Sequence, residues 1–97
     1  MVHFMYRWRI PPKEREDFPN DWKDLTRLAK GYGALSVTLY CSENGDFVAM
    51  ATWPSTEKWR LWKEELKDHP ARQKYRDYRV SGPELLMPVV TIDEKSG

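Results

Sequence analysis

The chain has 97 residues, with 16 Lys and Arg against 15 Asp and Glu, which is one domain's worth of polypeptide without a global field to draw in nucleic acid or an anionic membrane. One cysteine and two histidines, far apart in sequence, exclude an internal disulfide framework and offer no metal-ligand spacing, and no apolar run approaches the length of a bilayer span. Its ring content is high instead, with five Trp, five Tyr and three Phe.

In chain order, "HFMYRWRI" (3–10) alternates with period two, Phe4, Tyr6, Trp8 and Ile10 against His3, Met5, Arg7 and Arg9, and predicts a strand that Pro11 and Pro12 stop. A helix follows, with Asn20 or Asp21 expected as N-cap after Pro19, Trp22, Leu25, Leu28 and Ala29 at helical spacing, and Gly31 and Gly33 at its end. "ALSVTLYC" (34–41) and "FVAMATW" (47–53) read as two strands joined through the Asn-Gly of "ENGD". Pro54 and Ser55 open a second helix, Ser55 as N-cap and Glu57 in its positive first turn, with Trp59, Trp62, Leu66 and His69 on one face. Pro70 interrupts it, and "ARQKYRDYR" predicts a short further helix carrying Tyr75 and Tyr78. "PELLMPVVTI" (83–92) is the expected last strand, with a bulge or edge at Pro88.

Strand, helix, strand, strand, helix, strand closes most simply as a ferredoxin-like βαββαβ sandwich of the α+β class, a four-stranded antiparallel sheet carrying both helices on one face. A single domain over 1–93 with a tail at 94–97 is expected. Val48 and Met50 give the third strand apolar residues on its second face, and "LLMPVV" is apolar on both, so that face needs cover. A second copy of the sheet supplies it through a two-fold interface, which predicts a homodimer. The N-terminus shows no signal-peptide pattern, and with one cysteine a cytoplasmic location is expected.

The stretch "GALSVTLYCSENGDFVAMATWPSTEKWRLW" resembles the antibiotic biosynthesis monooxygenase family of dimeric α+β barrels. The pattern W-x-S-x-x-x-[W/F]-x-x-W stands here as Trp53, Ser55, Trp59 and Trp62. The resemblance implies a pocket between sheet and helices, and an activity that oxygenates quinols or anthrones with no metal or flavin cofactor. The haem-degrading branch pairs a helix tryptophan, matching Trp62, with an asparagine and a histidine. This chain has Trp8 and Arg72 at those positions, with His69 as the nearest imidazole, which speaks against haem degradation.

Such chemistry asks for an apolar slot for a flat ring, a base or acceptor at its acidic proton, and donors for the oxyanion. Trp8, Trp22, Trp59 and Trp62 are the candidate substrate-binding walls. Tyr6, Tyr75 and His69 are the candidate catalytic groups, His69 as base. Each has a structural reading beside it. Trp53 ends a strand as core, Trp59 and Trp62 supply the apolar stripe of a helix, and Trp8 divides evenly between the two. His69 beside Pro70 suits a helix terminus. Tyr75 and Tyr78 lie among Arg72, Lys74, Arg76 and Arg79 on a solvated face, and Cys41 is a packed thiol. The surplus of rings beyond the needs of a core is what points to a small aromatic ligand.

The alternatives are a non-catalytic ligand-binding or regulatory barrel and an RNA-binding module of the same strand order. The second lacks the basic, glycine and paired aromatic residues such a module places on its third strand, since Asp46 precedes a single Phe and Ala49 and Ala51 follow.

Overall fold

A computed structural model describes residues 1–89. The end of the expected last strand (90–92) and the expected tail 94–97 lie outside the described residues. The elements run β1 (Val2–Trp8), a 3-10 turn (Pro12–Glu14), α1 (Asp17–Gly31), β2 (Ser36–Cys41), β3 (Phe47–Trp53), α2 (Thr56–Glu65), α3 (Pro70–Lys74), a 3-10 turn (Arg76–Tyr78) and β4 (Arg79–Leu86). The four strands form one antiparallel sheet in the order β2-β3-β1-β4, the ferredoxin-like arrangement expected from the sequence.

One sheet face carries the core. Phe4, Tyr6 and Trp8 of β1 and Phe47, Ala49, Ala51 and Trp53 of β3 are buried, together with Phe18, Trp22, Leu25 and Ala29 of α1 and Trp59 and Trp62 of α2. The period-two pattern of both strands is thus realised, β3 putting Val48 and Met50 on the opposite face. There Met5 pairs with Met50 and Arg7 with Val48, Tyr40 lies beside Val48, and Leu86 lies beside His3.

Several boundaries differ from expectation, each for a local reason. The first strand leaves the ladder at Trp8, two residues early, although Ile10 is still buried. α1 begins at Asp17 rather than after Pro19, because a proline in the first turn gives up an N–H that has no partner there anyway. Phe18 joins the buried stripe as a result, and Leu28 lies at its edge, 38% exposed. Gly33, at φ +110°, supplies the left-handed residue that ends the helix. In the hairpin the Gly45 N–H donates to the Ser42 carbonyl (2.9 Å), with Gly45 at φ +90°. Ser55 caps α2 by accepting from the Lys58 N–H (3.3 Å). β4 starts at Arg79 and not at Pro83, and its irregularity falls between the partners of Met5 and Trp8 and not at Pro88. Cys41 is exposed, not packed.

Candidate functional site

The alternation of β1 aims Tyr6 and Trp8 at the helices, and the 18/22/25/29 stripe of α1 brings Trp22 over them. Trp8 and Trp22 meet edge to face with ring centres 4.6 Å apart, and Tyr6 stacks parallel to Trp8 at 5.7 Å. Trp62 comes from α2, and Tyr75 from the turn after α3. Between these rings and β4 lies a cavity of about 290 Å³ lined by Tyr6, Trp8, Trp22, Trp62, Tyr75 and Pro83 on its apolar side.

Charge lines the rest of it: Lys63, Lys67, Arg72, Arg76 and Arg79 against a single carboxylate, Glu64. Glu64 is engaged by Lys67 (3.3 Å). Among the described residues Lys63, Arg72, Arg76 and Arg79 form no ion pair. Arg72 is held in place by donating from Nη1 to the Lys63 carbonyl (2.8 Å), and its guanidinium lies 5.3 Å from the centre of the Trp62 ring. Burial, with Arg79 and Arg76 nearby, moves its pKa below the ordinary arginine value, while Tyr6 opposes that shift. An arginine remains charged under such shifts.

Tyr6 is fixed from behind. The Trp59 indole N–H donates to its hydroxyl (2.9 Å), and Trp59 is itself stacked on Phe4 at 4.0 Å. With one lone pair so used, the phenol keeps its own proton, and no described residue accepts it. Burial pushes the Tyr6 pKa up, against lowering by the Trp59 hydrogen bond and by Arg72 and Arg79. Tyr75 contributes its ring to the cavity and donates its hydroxyl to Asp21 Oδ2 (2.5 Å), and burial with that bond raises it to about 12. Both tyrosines are therefore protonated at neutral pH, as hydrogen-bond donors and not bases. The Trp62 indole N–H is buried and has no acceptor among the described residues.

Of the seven residues expected at the site, Tyr6, Trp8, Trp22, Trp62 and Tyr75 line this one cavity. Trp59 does not line it and acts through Tyr6. His69 lies elsewhere: its Nδ1 accepts from the Ala71 N–H (3.1 Å) as the N-cap of α3, beside a separate surface depression with Asp21, Asp24 and Lys74. The expected helix-end role holds, but at the start of the following helix, with the ring as acceptor and not as a cation at a negative terminus. The expected solvated face over 72–79 fails at Tyr75, 1% exposed. What sequence reasoning missed is the cationic lining. Its one sequence signal was the density of Arg72, Arg76 and Arg79 within eight residues; no helical period could align them, because they lie on α3, on the 3-10 turn and at the start of β4. Among the described residues no three His, Cys, Asp or Glu side chains come together as a metal site, and no helix is long and apolar enough to cross a membrane.

No family model matches the chain, and no curated protein matches it. Solved structures do resemble it. SnoaB, a cofactor-independent oxygenase from Streptomyces nogalater, superposes with a TM-score of 0.81 at 18% identity, covering 96% of this chain and 97% of that one. A structure described as antibiotic biosynthesis monooxygenase gives 0.73 at 14% identity over 94% of this chain and 100% of that one. A protein from Mycobacterium tuberculosis gives 0.63 at 19% identity over 95% and 98%. The chain thus has the ferredoxin-like fold of the antibiotic biosynthesis monooxygenase structures, the family its sequence resembles.

Proposed function

We propose that this protein is a cofactor-independent oxygenase acting on a flat aromatic of quinol or anthrone type, bound in the cavity as its anion. The observation that carries the reading is the meeting, in one cavity, of five aromatic side chains with arginines that have no carboxylate partner among the described residues. An electron-rich ring stacks on the walls, and the cations favour its ionised over its neutral form, so the cavity acidifies the substrate without a base of its own. For an anthrone, loss of a ring-methylene proton gives an anion that passes one electron to dioxygen. The radical pair combines to a peroxide, which takes up a proton and loses water, so that one anthrone and one dioxygen give one quinone and one water. The Tyr6 hydroxyl is the donor on hand for the oxyanion. His69 has no part in this reading.

Among the described residues no histidine lines the cavity, which favours a second reading, a barrel that binds such a ligand without turning it over. Tryptophan fluorescence during titration with hydroquinones, anthrones, flavins and haem, with oxygen uptake followed in the same samples, separates the two. Saturable quenching with uptake supports the oxygenase, and quenching without uptake supports the binding barrel.

A homodimer through the open sheet face is part of the proposal. Half-buried Met5, Val48 and Met50 and exposed Tyr40 occupy that face, which suits a closed two-fold contact. Light scattering at micromolar concentration tests it, and a monomer mass overturns it. An exposed single cysteine suits a reducing cytoplasm.

A further inference from the structure

We propose that an apolar recess behind the aromatic wall is a docking site for dioxygen, an inference that rests on the oxygenase reading. The recess holds about 20 Å³ and presents only apolar surface. It exists because β3, between Phe47 and Trp53, spends its two remaining core-facing positions on Ala49 and Ala51. Alanine is a poor strand residue, so packing or the space left open is the reason for it. Ala29 of α1 lines the recess from the helix layer, and Val37, the register partner of Ala51, lies beside them in the sheet.

The size admits one molecule of a few atoms, since a single water needs about 10–15 Å³ by the same measure. It admits no organic ring. Water is a poor occupant, because it needs polar partners and the recess surface is wholly apolar: the Thr26 hydroxyl donates to the Trp22 carbonyl (3.1 Å), the Tyr6 hydroxyl accepts from Trp59, and the unpartnered indole nitrogens of Trp53 and Trp62 are themselves buried and expose almost no surface to it. An apolar gas loses nothing there. Tyr6, Trp22 and Trp62 belong to both the recess and the cavity. A gas molecule in the recess is therefore one layer of side chains from a ring in the cavity, where the two reactants of the proposed oxygenation have to meet.

The test uses dioxygen itself, whose paramagnetism speeds the relaxation of methyl resonances near it. Under oxygen pressure, the methyls of Ala29, Ala49 and Ala51 are expected to relax at least about fivefold more than those of Ile10 and Ala71, which are buried likewise but outside the recess. Ala49→Val fills the space and is expected to abolish the difference, with Ala29→Val as a second filling variant should the first not fold. Equal relaxation at all buried methyls overturns the proposal. With a substrate that is turned over, the filling variant should raise the KM for oxygen and leave the KM for the aromatic unchanged, and an unchanged oxygen KM also overturns it. Selective relaxation without oxygen uptake by any aromatic would sink the oxygenase reading and leave the gas site standing.

Discussion

Replacing Tyr6 by Phe probes the site's rear support and its chemistry together. The substitution removes one oxygen and leaves the Trp59 indole N–H, in a residue 8% exposed, without the acceptor it now has at 2.9 Å. A buried donor stripped of its partner costs about 1–3 kcal/mol. For a domain of this length each kcal/mol lowers Tm by about 4–8 °C, so a loss of roughly 4–24 °C is expected. Trp59→Phe retains a ring to stack on Phe4 and removes the donor instead. In the double variant neither partner is left behind, and the coupling energy from urea denaturation should be about 1 kcal/mol or more. The same hydroxyl is an oxyanion donor in the proposed site, and a hydrogen bond to a charged group contributes about 1.5–3 kcal/mol. Tyr6→Phe should therefore weaken binding of an anthrone anion about 10- to 150-fold by fluorescence titration, while Trp59→Phe, which leaves the hydroxyl in place, weakens it far less. A coupling energy near zero would refute the support argument. Equal loss of binding in the two variants would refute the donor role.

Other predictions follow from the same geometry. Arg72→Gln keeps a donor for the Lys63 carbonyl but removes the charge. At about 5–6 Å from an anionic oxygen, and an effective dielectric of about 20–40, that charge contributes about 1.5–3 kcal/mol, so the variant should lose about tenfold or more in affinity for an anthrone anion and little for a quinone that cannot ionise. His69→Ala should leave ligand binding unchanged and lower stability by about 1 kcal/mol through loss of the α3 cap, as read by urea denaturation. The Asp21 carboxyl lies below its ordinary pKa, chiefly through the hydrogen bond from Tyr75. Its contribution is present above the unfolded carboxylate pKa and lost as pH falls through the folded one, so the urea midpoint should drop below about pH 4 and drop less in Tyr75→Phe. A Cβ at Gly82, where φ is +97°, would stand 2.4 Å from the Met5 carbonyl oxygen, whereas at Gly45 it meets only the end of the Arg15 side chain. Gly82→Ala should therefore be the more destabilising of the two in thermal melts.

Most of the fold was legible because it rests on patterns with a direct physical cause. The alternation of β1 and β3, Ser55 before α2 and Gly33 after α1 all mark what the structure contains. Boundaries were less legible where a rule has an exception: Pro19 is a breaker inside a helix but harmless in its first turn, and reading it as a stop hid Phe18. The site divided in the same way. Tyr6, Trp8 and Trp22 lie on regular elements whose facing follows from period, so their convergence could be expected. Trp59 and Trp62, three residues apart on one helix, share a face in sequence, yet only packing against Phe4 separates the one from the cavity that the other lines. Residues 70–79 were the hardest, because a short helix and a 3-10 turn have no stable period. There the sequence leaves Tyr75 open between a site residue and a solvated face, and only packing puts its ring in the cavity with the arginines beside it.

The central claim is that the cavity holds a flat ring as its anion, and the pH dependence of the absorbance of bound anthrone tests it most directly. The account predicts a bound pKa at least about one unit below that of the free compound, partly restored by Arg72→Gln. A bound pKa equal to or above the free value would mean that the cations do not act on the ligand, and would contradict it.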